Sequence, residues 1–341
     1  MKKSLMTLGV LALFVLMAYG QEKKFALYSV AFYNMENLFD TIHDEGKNDY
    51  EYLPNGTNQW NTMKYKAKLK NMSEILSLLS TDKLPMGPAI IGVSEIENYR
   101  VLEDILKQPA LADRGYQYVH YEGADQRGVD CAFFYNPKLF ELTNSKLVPY
   151  VYINDTVHKT RGFLIASGNI AGEKMHFIVN HWPSRAAASP ARERAGEQVR
   201  AIKDSLLRED SAAKIVIMGD MNDDPMDKSM AVALGAKRKP VDAGPTDLYN
   251  PWWDTLKKGY GTLMYKGKWN LFDQIVFTGN LLGTDRSTLK FYKHEIFSRD
   301  FMFQKEGKYK GYPKRTQAGG VWLNGYSDHL PTIIYLIKEV K

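Results

Sequence analysis

The apolar run at 214–218, Lys-Ile-Val-Ile-Met, closes on Gly219-Asp220-Met221-Asn222-Asp223-Asp224-Pro225, and this junction constrains the fold more than any other stretch. A β-branched run ended by Gly and polar residues reads as a buried strand that opens onto a surface loop. Asp220 and Asn222 lie two apart, so an extended backbone aims both side chains the same way. Ionised Asp only accepts hydrogen bonds, whereas Asn offers a donor and an acceptor. Such a pair is suited to holding a water beside a phosphate oxygen. Asp and Asn are also ordinary turn formers, so taken alone the stretch reads equally well as an acidic turn. A partner stretch tips the balance: Ser327-Asp328-His329-Leu330-Pro331 stands just before the last apolar run, 333–337.

Other β-forming runs end in the same manner. Residues 25–33 run out at Asn34-Met35-Glu36-Asn37, 89–93 at Ser94-Glu95-Ile96-Glu97-Asn98, and 175–180 at His181-Trp182-Pro183-Ser184-Arg185. Asp273 is the exception, an acid inside the strand-like run 271–278. An acid placed there is unfavourable unless it is paired, which marks Asp273 out. Polar strand ends gathered on one edge of a sandwich make a rigid rim, a common place for a site. Because these residues are scattered from Asn34 to His329, both ends of the chain must belong to one packed unit, a single domain over 21–341.

Further strands are expected at 116–121, 129–135, 146–153 and 162–170. Apolar positions Met63, Ala67, Leu69, Met72, Ile75, Leu76 and Leu79 recur at helical spacing, with Asn61 as the cap. Shorter and longer helices are expected at 101–107 and 186–207, the latter strictly starting after Pro190. Residues 40–58 read as a polar, mobile loop and 242–270 as loop-rich. Strands outnumber helices and the helices fall between strands, which suggests two packed sheets with helices outside.

Lys2 and Lys3 precede an apolar run at 8–17, followed by Ala18-Tyr19-Gly20. This pattern is that of a secretory signal over 1–20, too short for the roughly 20 residues of a spanning helix. The mature chain is therefore expected to be exported, periplasmic or secreted, with no stable membrane anchor. Its removal takes two Lys and no acid, so the formal charge falls from +6 to +4, which permits a polyanionic partner without demanding one. Cys131 is the single cysteine, so no intrachain disulfide forms; in its apolar run it reads as a buried, inert thiol.

Seven stretches in order carry a family resemblance: NMENLFD (34–40), GVSEIEN (92–98), RGVDCAFFY (127–135), NHWPSR (180–185), GDMNDDP (219–225), FDQIVF (272–277) and SDHLP (327–331). Together they resemble the endonuclease/exonuclease/phosphatase superfamily, which includes pancreatic-type deoxyribonuclease, abasic-site endonucleases, inositol-phosphate phosphatases and bacterial sphingomyelinases. The resemblance implies an α/β fold of the deoxyribonuclease I-like kind, a four-layer two-sheet β-sandwich flanked by helices. It implies Glu95 as the principal metal ligand with Asn34 beside it, and Asp328 near both the metal and the base. Oxygen ligands suit Mg²⁺, Mn²⁺ or Ca²⁺ better than Zn²⁺. It further implies His329 as general base oriented by Asp273, Asp220 as the group that orients the water, and Asn222 as a donor to the phosphoryl oxygens. His181 matches the histidine that contacts phosphate in the deoxyribonuclease and sphingomyelinase branches, with Asp130 as its expected orienter. Arg127 and Arg185 are candidates to clamp the phosphate bidentately, although exposed arginines are commonly only solvated.

The expected function is a divalent-metal-dependent phosphodiesterase whose phosphate-ester substrate is nucleic acid. A sphingomyelinase-like lipid phosphodiesterase and an inositol- or sugar-phosphate phosphatase remain open, as does a non-catalytic binding protein on the same scaffold. The stretch 305–322 interleaves Lys308, Lys310, Lys314 and Arg315 with Tyr309, Tyr312 and Trp322. It suits phosphates and stacked bases, and equally a solvated loop with aromatic anchors. Trp252 and Trp253 are open between packing inward, stacking a base and touching lipid.

Overall fold

The computed structural model describes residues 23–153, 155 and 157–340; the expected signal at 1–20 lies outside the described residues. The first half of the chain runs β1 (Lys24–Leu38), α1 (Thr62–Leu78), β2 (Ile90–Ile96), α2 (Tyr99–Leu106), β3 (Gln117–His120), β4 (Asp130–Tyr135), β5 (Glu141–Val148), β6 (Phe163–Ile170) and β7 (Glu173–His181). The second half runs α3 (Ser189–Glu209), β8 (Lys214–Asp220), β9 (Leu248–Tyr249), α4 (Trp253–Lys257), β10 (Leu263–Tyr265), β11 (Lys268–Asn270), β12 (Asp273–Thr278), β13 (Lys290–Ile296), β14 (Gln317–Ala318), β15 (Val321–Trp322) and β16 (Thr332–Val340).

Two six-stranded sheets form the body, ordered β13-β16-β1-β2-β4-β3 and β5-β6-β7-β8-β12-β9, beside the small hairpins β10-β11 and β14-β15. Both sheets mix parallel and antiparallel pairs: β1 with β2 and β7 with β8 are parallel, and the rest of each ladder is antiparallel. The inner faces meet in one core, where Val30, Phe32 and Phe133 of the first sheet pack against Val179, Met218 and Ile275 of the second. The outer face of the first sheet is covered by α1 and α2 through Met72, Ile75 and Val101, and that of the second by α3 through Ala195 and Val199. The result is the expected four layers, because each sheet is apolar on both faces and needs a partner for each. Gly92 shows how tight the inner contact is. A Cβ there would meet Met218 Sδ at 2.6 Å, so the sheets approach this closely only over glycine.

Local signals explain the helix starts. Asn61 accepts from the Lys64 amide at 3.1 Å, and Asn98 caps α2 through the Arg100 and Val101 amides. Pro190 sits in the first turn of α3, where its missing N–H costs nothing. Two expectations shift, and one choice left open is decided. The strand expected at 146–153 is β5, Glu141–Val148, and ends before Pro149. The polar loop at 40–58 is pinned, since Arg100 binds Asp40 and Asp44 at 2.5 Å each and Asp49 binds His43. Trp252 packs inward: it is fully buried and donates from Nε1 to Ile275 O at 2.9 Å. Cys131 is buried as expected, and burial pushes its thiol pKa up. Among the described residues, no helix is long and apolar enough to cross a membrane.

Candidate active site

Strand register brings the polar strand ends together. In the second sheet, Asp220 at the end of β8 pairs with His181 of β7 on one side and with Asp273 of β12 on the other. In the first sheet, Asn34 of β1 pairs with Ser94 of β2, next to Glu95. The two rims meet over Asp220: Asn34 Nδ2 donates to Asp220 Oδ2 at 3.0 Å and to Glu95 Oε1 at 3.2 Å. Getting these side chains into place bends the backbone. Glu36, Asn37, Glu95 and Asn222 all have positive φ, between 45° and 58°, a left-handed conformation that L-residues with side chains resist. Each such residue stores on the order of 1–3 kcal/mol, and clusters of them mark sites that packing must hold in place.

A cavity of about 290 Å³ opens here, lined by the acids Glu95 and Asp220, by Asn222, Ser184, His181 and His329, and by the cations Arg127 and Arg161. His329 Nδ1 lies 2.7 Å from Asp273 Oδ2, which fixes the ring and leaves Nε2 facing the cavity, 3.9 Å from Asp220 Oδ2. Burial alone would lower the His329 pKa; the opposing charges of Asp273 and Asp220 and the Asp273 hydrogen bond outweigh it and hold it well above the ordinary value. Asp220 is fully enclosed, and burial raises its carboxyl to about 7 against the pull of His329. Its other oxygen accepts the Asn222 amide at 2.9 Å.

His181 has the opposite character. Its Nε2 lies 3.6 Å from Glu95 Oε1 and 3.7 Å from Asp220 Oδ2, beyond good hydrogen-bond range, and its buried Nδ1 has no partner among the described residues. Burial, then Arg161 and Arg127, push its pKa well below the usual value, so the ring is neutral. Asp130, the expected orienter of His181, is engaged elsewhere. It pairs with His120 Nε2 at 3.2 Å and accepts the Gly123 amide, since β3–β4 register places His120 opposite Ala132.

Of the two expected clamps, Arg127 reaches the cavity wall and Arg185 does not. Arg185 Nη2 is bound to Asp224 and Asp227 at 3.2 and 2.9 Å, and its guanidinium lies over the Phe272 ring. Arg161, missed from the sequence, stands at the wall instead. It is buried, tied by Nη1 to Asp125 Oδ2 at 3.0 Å and by Nη2 to Trp182 O at 2.8 Å, and its Nε has no partner among the described residues. A charged residue opening the strand run 163–170 was the only signal that could have found it. Ser184, also missed, lines the same wall.

A second ionic network lies behind Glu95. Arg315 bridges Glu36 Oε1 and Asp328 Oδ2, both at 2.9 Å. The fully buried Lys68 reaches Thr316 Oγ1 at 2.5 Å, Tyr326 O at 2.6 Å and Glu36 at 3.9 Å. Burial raises Glu36 to about 7 and lowers Lys68 to about 8. This network decides what the three residues expected around a cation present. Asp328 is held by Arg315, and Asn34 turns its oxygen to the Glu36 amide, offering Nδ2 to the site. Glu95 alone of the three lines the cavity. One ligand atom from each of Glu95, His181 and Asp220 lies within 4.8 Å of the others, an oxygen-rich set that fits a hard divalent ion.

The sequence pattern of the Endonuclease/Exonuclease/phosphatase family matches residues 29–338. No curated protein matches the sequence. Among solved structures, an endonuclease/exonuclease/phosphatase family protein from Bacteroides thetaiotaomicron is similar over 93% of this chain and 97% of its own, with 15% identity and a TM-score of 0.57. The mannosyl-6-phosphatase of Bacteroides thetaiotaomicron VPI-5482 covers 91% of this chain and 99% of its own, with 15% identity and a TM-score of 0.56. A humanized D. rerio TDP2 covers 91% of this chain and 98% of its own, with 13% identity and a TM-score of 0.55. At such identities the likeness is one of fold.

Proposed function

From a chain that belongs to the endonuclease/exonuclease/phosphatase family, and is thereby a metal-dependent phosphoric ester hydrolase, we infer an exported nuclease that hydrolyses nucleic-acid phosphodiester bonds by water attack. The observation that carries this reading is the convergence of Asn34, Glu95, His181, Asp220 and the His329–Asp273 pair on one cavity with a cationic wall.

The family works with a divalent cation, and Mg²⁺ is the ion proposed here. Glu95 would hold it, with Asp220 adjacent and with Asn34 and Asp328 recruited if they turn from their present partners. Bound there, a divalent ion neutralises phosphate charge and stabilises the leaving oxygen. The protein's own groups do the rest. Arg161 and Arg127 supply positive charge to the wall where a phosphate would rest, and Asn222 Nδ2 gives one hydrogen to Trp182 O while its amide carries a second. Asp273 fixes the imidazole of His329, so that Nε2 meets the reacting oxygens in one orientation. Asp220, with a pKa of about 7, is placed between the two histidines to orient a water and share its proton. Preorganised charge of this kind is the chief help that phosphoryl chemistry needs.

A small phosphate monoester is the second reading, favoured by a cavity of only about 290 Å³. The two are separated by incubating purified protein with plasmid DNA, RNA, inositol phosphates, sugar phosphates and sphingomyelin, with and without EDTA. Nucleic-acid cleavage that stops with EDTA and in Asp220→Asn supports the nuclease. Phosphate release from a small ester with no cleavage of DNA or RNA overturns it in favour of the second reading, and choline-phosphate release from sphingomyelin overturns both.

A further inference from the structure

Two exposed segments, distant in sequence, join beside the catalytic cavity. The first is the tip of the β10–β11 hairpin, Tyr265-Lys266-Gly267-Lys268. The second is the loop 305–315. The Gly267 amide donates to Tyr312 Oη at 2.6 Å, and Tyr312 packs edge-on against Tyr309 with centroids 5.4 Å apart, so tip and loop form one surface. The hairpin is rooted in the site. Leu263 bridges to His329, the Leu330 amide donates to Thr262 O at 2.8 Å, and the Asp273 amide donates to Thr262 Oγ1 at 3.3 Å.

The charge of this surface sets it apart. Residues 265–268 and 305–315 hold seven Lys and Arg and one Glu; subtracted from the chain's 45 and 39, they leave 38 of each sign elsewhere, so this surface holds the whole formal excess of +6. Arg315 is occupied by Glu36 and Asp328, whereas none of the six lysines takes part in an ion pair among the described residues. Unpaired lysines crowded together repel one another, and a polyanion relieves that repulsion. Aromatic faces stand among them: Tyr265 is 62% and Tyr309 52% exposed, and Lys266 and Lys308 lie over those two rings. Tyr309 also lines a second cavity, of about 370 Å³, whose wall includes Asn37, the residue whose amide holds Glu95. Tyr309 thus stands among the lysines and shares a cavity with a residue that holds Glu95.

We propose that the hairpin tip and the loop 305–315 bind single-stranded nucleic acid, with lysines along the phosphates and Tyr309 and Tyr265 stacking bases, and lead the strand to the cavity. The inference rests on the nuclease reading and names the form of its substrate. A paired helix hides its base faces, whereas an unpaired strand offers them to exposed tyrosines. A membrane fits the surface less well, because the tip Tyr265-Lys266-Gly267-Lys268 carries no Leu, Ile, Phe or Trp to enter lipid.

The test compares the wild type with the triple variant K266E/K308E/K310E and with Tyr309→Ala. Binding of a fluorescent single-stranded oligonucleotide is read by anisotropy in EDTA, where cleavage stops, and hydrolysis of bis(4-nitrophenyl) phosphate is read with Mg²⁺. Expected is an affinity loss of at least about tenfold in the triple variant, with the salt slope reduced by about 0.7 for each phosphate that is no longer neutralised. Tyr309→Ala should weaken binding about fivefold or more. Hydrolysis of the small ester should be unchanged in both. Equal oligonucleotide binding by wild type and triple variant overturns the proposal. So does binding of phosphatidylserine vesicles, abolished in the triple variant, with no oligonucleotide binding. An oligonucleotide that binds through these lysines and is never cleaved sinks the nuclease reading and leaves the binding surface standing. Cleavage indifferent to the lysines does the reverse.

Discussion

His181 and His329 face the same carboxylate from opposite sides, with Nε2 atoms 3.7 and 3.9 Å from Asp220 Oδ2. Both rings are buried, and burial works to lower both pKa values. What stands behind each ring decides the outcome. Asp273 meets Nδ1 of His329 and raises its pKa, whereas Nδ1 of His181 meets no partner among the described residues and Arg161 lowers its pKa. The same residue type is thus shifted in opposite directions by its backing, Asp273 acting on one ring and Arg161 on the other. On the nuclease reading, the basic backing suits the phosphate and the acidic backing suits the water and its proton.

The largest effect should come from erasing the acidic backing. Asp273→Asn keeps the shape and removes the charge that fixes His329, and kcat for a phosphodiester should fall by roughly 10²–10⁴ with the thermal midpoint little changed. Steady-state kinetics check this. An unchanged kcat would mean that the pairing serves the fold alone, and the contrast between the two histidines would have no bearing on catalysis.

Erasing the basic backing should come next. Arg161→Gln removes the buried cation from the wall, and kcat/KM should drop by about 10²–10³ if that charge meets the phosphate. The change also strands Asp125, so the double variant with Asp125→Asn is the proper comparison for stability. Losses of stability and activity that are both restored by adding Asp125→Asn would make Arg161 a structural cation only.

Which residues of the cavity could be read from sequence follows from the range of the interactions. Asn34, Glu95, His181, Asp220 and Asp328 stand out because each adjoins an apolar run, and the ends of such runs are visible in two-residue and longer patterns. Asp273 was visible as an acid where an acid is unfavourable. The basic residues were poorly legible. Arg161 is one of 45 basic residues and gains its meaning only from Asp125, 36 positions away, and from Trp182 O across the sheet. Arg185 misled for the complementary reason. It adjoins His181 and Ser184 in sequence, yet Asp223, Asp224 and Asp227 draw it to the outside of the loop. Asp130 is a register effect: the pairing of β3 with β4 gives it His120, and no local pattern announces which strand will lie beside it. Acid–base roles on strand ends are local information, whereas the pairing of buried cations is not.

His294 supplies a control, since it is a partly buried histidine whose ring meets a hydroxyl in place of a carboxylate. It lies on β13, bonded through Nε2 to Thr255 Oγ1 at 2.9 Å and edge-on to Trp252. Burial, helped by Lys258, pushes it down to about 4 from 6.5. The folded protein therefore prefers the neutral ring, and this contribution is complete above the unfolded value and lost as pH falls from 6.5 toward about 4. Its size is at most about 3 kcal/mol, at 1.36 kcal/mol per pH unit. His294→Gln should lose less stability than the wild type over that interval, as read from urea midpoints. Parallel losses would show that burial alone does not set the histidines of this fold, and would weaken the account of His181.

The smallest effect sharpens the comparison most, because it reads the backing without the chemistry. Burial comes first among the causes that keep His181 neutral, and Arg161 second. Removing the guanidinium while keeping the ring buried should therefore move the His181 pKa up by only part of its displacement. Arg161→Gln with imidazole resonances followed by NMR, in EDTA so that no cation competes, gives that shift. His329 should move little, since Asp273 and Asp220 dominate its surroundings. An upward shift at His181 alone would establish that the two rings are set independently. A matching shift at both rings would mean that Asp220 passes charge between them, so that the two rings titrate as one unit.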